Sequence, residues 1–108
     1  MTAKPVVPRA QARADIELAV DHYAREAGVD VAFTFIDALE HAYAFIGNAP
    51  AAGSPRWSNV LNLPGIRTVR LKNFPWLVFY FEFETHVDVW RVLHAKRDLP
   101  AWLSDADG

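Results

Sequence analysis

Trp76-Leu-Val-Phe-Tyr-Phe-Glu-Phe-Glu84 is the stretch whose reading decides the fold. It is a nearly continuous run of aromatic and β-branched residues, as a central strand covered on at least one face requires. Strand alternation puts Leu77, Phe79, Phe81 and Phe83 on one face, and Val78, Tyr80, Glu82 and Glu84 on the other. The phenylalanine face is expected to meet whatever helices the chain supplies.

The flanking sequence supplies neighbours for this strand. Gly65 opens a segment, 66–72, that alternates well enough for a strand, and Asn73-Phe74-Pro75 forms the turn between them. After the run, Glu84-Thr85-His86 reads as a hairpin tip, and 87–94 returns as the next strand. Arg97-Asp98-Leu99-Pro100 leaves the sheet, and Ala101-Trp102-Leu103 is expected to add a short closing turn. Residues 49–63, rich in Pro, Gly, Ser and Asn, read as a loop carrying Arg56 and Trp57.

The first half of the chain has helical periodicity. Residues 4–7 read as a short first strand with Pro5 at its beginning, and Pro8 suits the first turn of a helix. From 9 to 27, Ile16, Ala19, Val20, Tyr23, Ala24 and Ala27 recur on one helical face. Gly28 is expected to end this helix in a left-handed conformation, and Asp30 to cap the next. The second helix runs to about 47, with Phe35, Ile36, Leu39, Tyr43 and Ile46 on one face. A two-residue connection makes the pair an antiparallel hairpin. The order is β-α-α-β-β-β. This is an α+β fold in which an antiparallel sheet is covered on one face by an N-terminal helical hairpin, and 1–108 is read as a single domain.

Composition narrows the function classes. The chain has 108 residues, 52% of them hydrophobic, and no cysteine, so a disulfide framework and a thiolate zinc site are excluded. His22, His41, His86 and His94 lack metal-ligand spacing, and neither a metal nor another cofactor is expected. No apolar run approaches a membrane span, and the N-terminus has no signal-peptide core, so a cytoplasmic protein is expected. A net charge of -2 argues against coating nucleic acid by bulk electrostatics. The charge is nonetheless polarised. From 15 to 40 there are seven acids against one base, Arg25, whereas Arg67, Arg70 and Lys72 cluster in one later segment and Arg91, Lys96 and Arg97 in another.

Three local patterns carry a resemblance. They are Pro50-Ala-Ala-Gly-Ser-Pro-Arg56, the run from Gly65 through Arg70, Phe74 and Pro75 to Tyr80, and Arg91-Val-Leu-His-Ala-Lys-Arg-Asp-Leu-Pro100. With the βααβββ order they make the chain similar to the RelE/ParE toxin superfamily, closer to its ParE branch. The resemblance implies the toxin of a two-gene toxin–antitoxin module. ParE-like members poison DNA gyrase, and RelE-like members cut messenger RNA in the ribosomal A site. RelE-like cleavage needs a base, cations for the phosphorane charge and an acid for the leaving oxygen. Here Trp76 stands where the central-strand arginine belongs. Lys96 and Arg97 match the basic pair after the last strand. Trp102 or Leu103 stands where a proton-donating aromatic is wanted, and neither can give a proton. The departures favour the ParE reading and a protein without chemistry of its own. If the chain is a nuclease, Arg70, Arg91, His94, Lys96 and Arg97 are its candidates. A non-toxic, antitoxin-binding module is a third reading.

Each candidate also has a plain structural role open to it. Arg70 and Arg91, expected on neighbouring strands, can pair with an acid such as Glu82 or form a basic patch. Arg67 points to the opposite face from Arg70. Trp90 is expected on a face with Asp88, Val92 and His94. The four tryptophans suit core and edge packing better than a ligand box. Leu18, Phe33 and Phe45 lie off the apolar stripes of their helices, which either are wide or offer a groove to another helix. The resemblance makes Leu18, Phe33 and Phe45 the antitoxin-binding residues, the partner being ParD-like. It makes Arg91, Lys96, Arg97 and Trp102 the surface for a target such as gyrase. Direct nucleic-acid binding without the antitoxin is not expected.

Overall fold

A computed structural model describes residues 3–99. The elements are β1 (Val6–Pro8), α1 (Ala10–Glu26), α2 (Val29–Asn48), a 3-10 turn at Pro50–Ala52, α3 (Trp57–Val60), β2 (Arg67–Arg70), β3 (Trp76–Glu82) and β4 (Val87–His94). The α+β class and the βααβββ order hold. The segment read as loop carries two short helical turns, too brief to leave a periodic signature. The expected closing turn at Ala101–Leu103 lies outside the described residues.

The sheet order is β1-β4-β3-β2. Strands β2, β3 and β4 form the expected antiparallel meander. Strand β1 instead runs parallel to β4, with Val6 opposite Val87 and Pro8 opposite Val89, so the sheet is mixed rather than wholly antiparallel. A parallel pair needs a long crossover. Everything between β1 and β4 provides it.

The helical hairpin buries Ala12 and Ala19 of α1 against Phe35, Leu39, Ala42 and Ile46 of α2. Small residues on α1 let the two backbones and the sheet approach closely. Two local expectations fail at the hairpin's tip. Gly28 has φ 102° and ψ 158°, an extended mirror-image conformation available essentially to glycine alone, not the left-handed helical one. Gly28 is itself the N-cap residue of α2, so Asp30 falls in the first turn and makes no capping hydrogen bond. Its charge still suits the positive end of the helix dipole.

The faces of the central strand are the reverse of expectation. The hairpin covers Trp76, Val78 and Tyr80, together with Val87, Val89 and Val92 of β4. Leu77 and Phe79 face the other way, into a second core with Trp57, Ile66 and Leu99, against which Phe81 and Trp90 pack. Both faces of β3 are apolar over its first five residues. Alternation separates them but cannot say which one the helices take.

A β-bulge explains a further departure. The register of β3 with β4 shifts between Phe79 and Tyr80: Tyr80 pairs with Val89 and Phe79 with Arg91, leaving Trp90 extra. Trp90 therefore packs with Phe79 on the outer face, while Val92 rejoins Val89 on the helix face. Trp90 and Val92 do not share a face. The bulge resets the alternation between them.

The connection from α2 to β2 is clamped from the sheet. The Tyr80 hydroxyl donates to the Pro50 carbonyl at 2.7 Å, and Arg67 donates to the Gly53 carbonyl at 2.8 Å. Gly53 is buried against the Tyr80 ring, and a Cβ there would overlap its hydroxyl. Ser54 and Thr68 then exchange backbone bonds, which covers part of the β2 edge.

Candidate functional site

Arg91 follows the bulge and reaches α1, where it meets Asp15. The guanidinium donates through Nε at 2.7 Å and Nη2 at 2.9 Å to the two carboxylate oxygens, a bidentate fork. Asp15 also accepts the Val92 N–H at 3.1 Å. The hydrogen bonds that Arg91 donates to Asp15 hold the Arg91 pKa above its ordinary value. Arg91 thus ties α1 to β4 and is not a free cation. Its partner is Asp15, 76 residues away, and not Glu82, which pairs with Lys4. Arg70 and Arg91 are not on neighbouring strands either, because β3 lies between them.

His94, Lys96 and Arg97 share the turn that follows β4. His94 N–H donates to Asp98 at 2.7 Å, and its Nδ1 accepts the N–H groups of Lys96 and Arg97, each at 3.1 Å. Its ring stands edge-on to Trp76. Burial, with Arg97 next, lowers the His94 pKa, so the ring is neutral at pH 7 with Nδ1 occupied. This histidine builds the turn. The Arg97 guanidinium lies 5.6 Å from the Trp76 ring centre, and Lys96 is exposed. Between α1 and the end of β4 is a cleft of about 500 Å³, lined by Asp15, His22, Trp76, Arg91, Arg97 and Asp98 among others. Arg91 and Arg97 therefore meet at one cleft. Arg70 sits exposed on the far edge strand, and Trp102 lies outside the described residues.

The hairpin's outer surface carries the other candidates. Leu18, Phe33 and Phe45 are 70%, 60% and 48% exposed, large apolar side chains held in water. Leu18 borders a shallow groove of about 880 Å³ lined by Ile16, Val20, Ile36 and Leu39, with Glu17 and Asp21 also at its wall. The three residues do not make one patch. Twelve residues of regular helix set Phe33 and Phe45 roughly 18 Å and 120° apart. Sequence reasoning missed Val29, which is 59% exposed and one turn before Phe33. The i, i+4 spacing of the pair was the available signal.

Among the described residues, no three His, Cys, Asp or Glu side chains converge as a metal site would require, and no helix is long and apolar enough to cross a membrane.

Comparison with known proteins gives this arrangement a family. No curated protein matches the sequence. Among solved structures, the fold is similar to that of the chromosomal ParDE TA system from P. aeruginosa, with a TM-score of 0.71. Identity is 20%, over 85% of this chain and 96% of that one. A family profile described as the ParE toxin of the type II toxin-antitoxin system, parDE, matches residues 6–99. That match spans every strand and helix described above, and the chain belongs to the ParE toxin family of type II toxin–antitoxin systems.

Proposed function

We propose that this toxin inhibits DNA gyrase by binding it, without chemistry of its own, and that a ParD-like antitoxin silences it. The observation that carries the reading is the fate of the catalytic candidates. Arg91 is held bidentate by Asp15, and the His94 Nδ1 is occupied by two backbone donors. Neither is poised to serve a phosphodiester. Large apolar side chains stand exposed on the helical hairpin instead, as a surface for a partner helix would need. The family supports an antitoxin as that partner, with an apolar segment lying along the Leu18 groove and the Val29–Phe33 ridge. A gyrase inhibitor works beside the chromosome, so this reading carries a cytoplasmic location with it.

Supercoiling by purified gyrase, with and without the antitoxin, tests this directly. The toxin alone should block supercoiling, and the antitoxin should restore it. Filamentation with DNA-damage induction should accompany expression of the toxin alone. Unimpaired gyrase at saturating toxin would end the proposal. The neutral His94 beside Lys96 and Arg97 gives ribosome-dependent messenger cleavage its one foothold. Cut transcripts with rapid translation arrest would favour it.

A further inference from the structure

Two turns meet at one end of the sheet. The β2–β3 connection spans residues 71–75, closed by Leu71 N–H to the Trp76 carbonyl, and the turn after β4 spans residues 95–98. Ala95 N–H donates to the Pro75 carbonyl at 2.8 Å, which joins them. Arg70 and Lys72 stand at the first turn, Lys96 and Arg97 at the second, and all four are exposed. Strands spaced about 4.8 Å apart bring the two turns within roughly 10 Å of each other. Arg70 lies on the outer face opposite Leu77 and Arg97 on the helix face over Trp76, so the cations ring this end of the sheet. None of the four pairs with a described carboxylate. Asp98, the one acid in these two segments, accepts the His94 N–H.

The patch also lacks what a protein partner would grip. The exposed large hydrophobic residues of the described chain are Val7, Leu18, Val29, Phe33, Phe45 and Phe83, and none belongs to either turn. Protein interfaces are anchored mainly by aromatic and arginine side chains buried in well-packed pockets, whereas affinity for a phosphate backbone comes chiefly from exposed cations. We propose that this end of the sheet docks on the phosphate backbone of duplex DNA, independently of sequence. The net charge of -2 does not oppose it, because the acids concentrate on the helices while the cations gather here. The choice of DNA over RNA rests on the gyrase reading above, since gyrase holds a duplex. The contact would anchor the toxin on DNA that gyrase already engages.

The test is fluorescence anisotropy of the full chain with a labelled mixed-sequence duplex, without gyrase, from 50 to 200 mM KCl. Four phosphate contacts predict a slope of log K against log salt near about -3.6, or on the order of a 100-fold loss across that range. Arg70→Ala with Lys72→Ala should halve the slope and weaken binding at 50 mM KCl by roughly tenfold or more. Lys4→Ala with Arg13→Ala, the same change in net charge away from the patch, should leave both unchanged. Absence of duplex binding at 50 mM KCl would overturn the proposal, as would equal losses from the two pairs. Tighter binding to an A-form RNA hairpin would overturn the choice of DNA. Loss of affinity for DNA-free gyrase in the Arg70→Ala, Lys72→Ala variant would reassign the patch to an acidic protein surface. The gyrase reading fails separately. Duplex binding that persists while supercoiling is untouched removes the gyrase target and leaves the DNA contact standing.

Discussion

Removing the Asp15 carboxylate should loosen the joint between α1 and β4 by a measurable amount. Asp15→Ala takes away both guanidinium bonds and the acceptor of the Val92 N–H. Side-chain exposure is 13% for Asp15 and 30% for Arg91, so the pair lies between buried and surface behaviour. Breaking a fully buried pair costs about 3–5 kcal/mol and an exposed one about 0–1 kcal/mol. The orphaned Val92 N–H adds about 1 kcal/mol. The sum places Asp15→Ala at about 2–3 kcal/mol, or a fall in Tm of roughly 10–20 °C for a domain of this size. Urea unfolding followed by tryptophan fluorescence reads the loss. Asp15→Asn keeps an acceptor without the charge and should cost about half as much. A cycle with Arg91→Met should show a coupling of about 1–2 kcal/mol. A cost under about 0.5 kcal/mol for Asp15→Ala, or strict additivity in the cycle, would refute the claim that this pair ties the hairpin to the sheet.

Four further outcomes follow from the geometry. Gly53→Ala should destabilise by about 2–4 kcal/mol because the new methyl group meets the Tyr80 hydroxyl, and Tyr80→Phe in the same chain should recover part of that loss in urea midpoints. Tyr43→Phe should stabilise by about 0.5–1 kcal/mol, since the Tyr43 hydroxyl is buried without a hydrogen-bond partner among the described residues, and burial has pushed its pKa up to about 12. His94 binds its proton less readily when folded, so its contribution is present above the unfolded value near 6.5 and is lost as pH falls through the lower folded pKa; the urea midpoint should drop between pH 7.5 and 5, and less so in His94→Gln. Leu18→Ala and Phe33→Ala should leave the free toxin folded, and each should weaken the antitoxin complex by about 1–3 kcal/mol in calorimetry; unchanged affinity in both would remove the hairpin surface as the binding site.

Several of these features could be read in the residues, and the others depend on contacts the sequence does not display. The helical hairpin was legible because Ile16, Ala19, Val20 and Tyr23, then Phe35, Leu39, Ala42 and Ile46, repeat at helical spacing over long segments. The hairpin strands were legible from Trp76 to His94 for the same kind of reason. The inversion of the sheet was not, because Val78 and Tyr80 are as apolar as Leu77 and Phe79, and burial on both sides erases the cue. The bulge at Trp90 could not be seen, since one extra residue leaves no compositional mark. α3, four residues long, buries Trp57 without a period to announce it. The exposure of Leu18, Phe33 and Phe45 was legible from their positions off the stripes. The Asp15–Arg91 fork was missed because partners 76 residues apart are joined only by tertiary folding.

The pairing of β1 with β4 sets an order on biosynthesis. Residues 10–48 can wind into their hairpin as soon as they leave the ribosome, because helical contacts are local. Val6–Pro8 has no companion until Val87–His94 has been made, so the first strand waits for the last. Messages cut short before that point would yield a hairpin with its inner face still wet and no finished sheet, prone to aggregate and unable to poison anything.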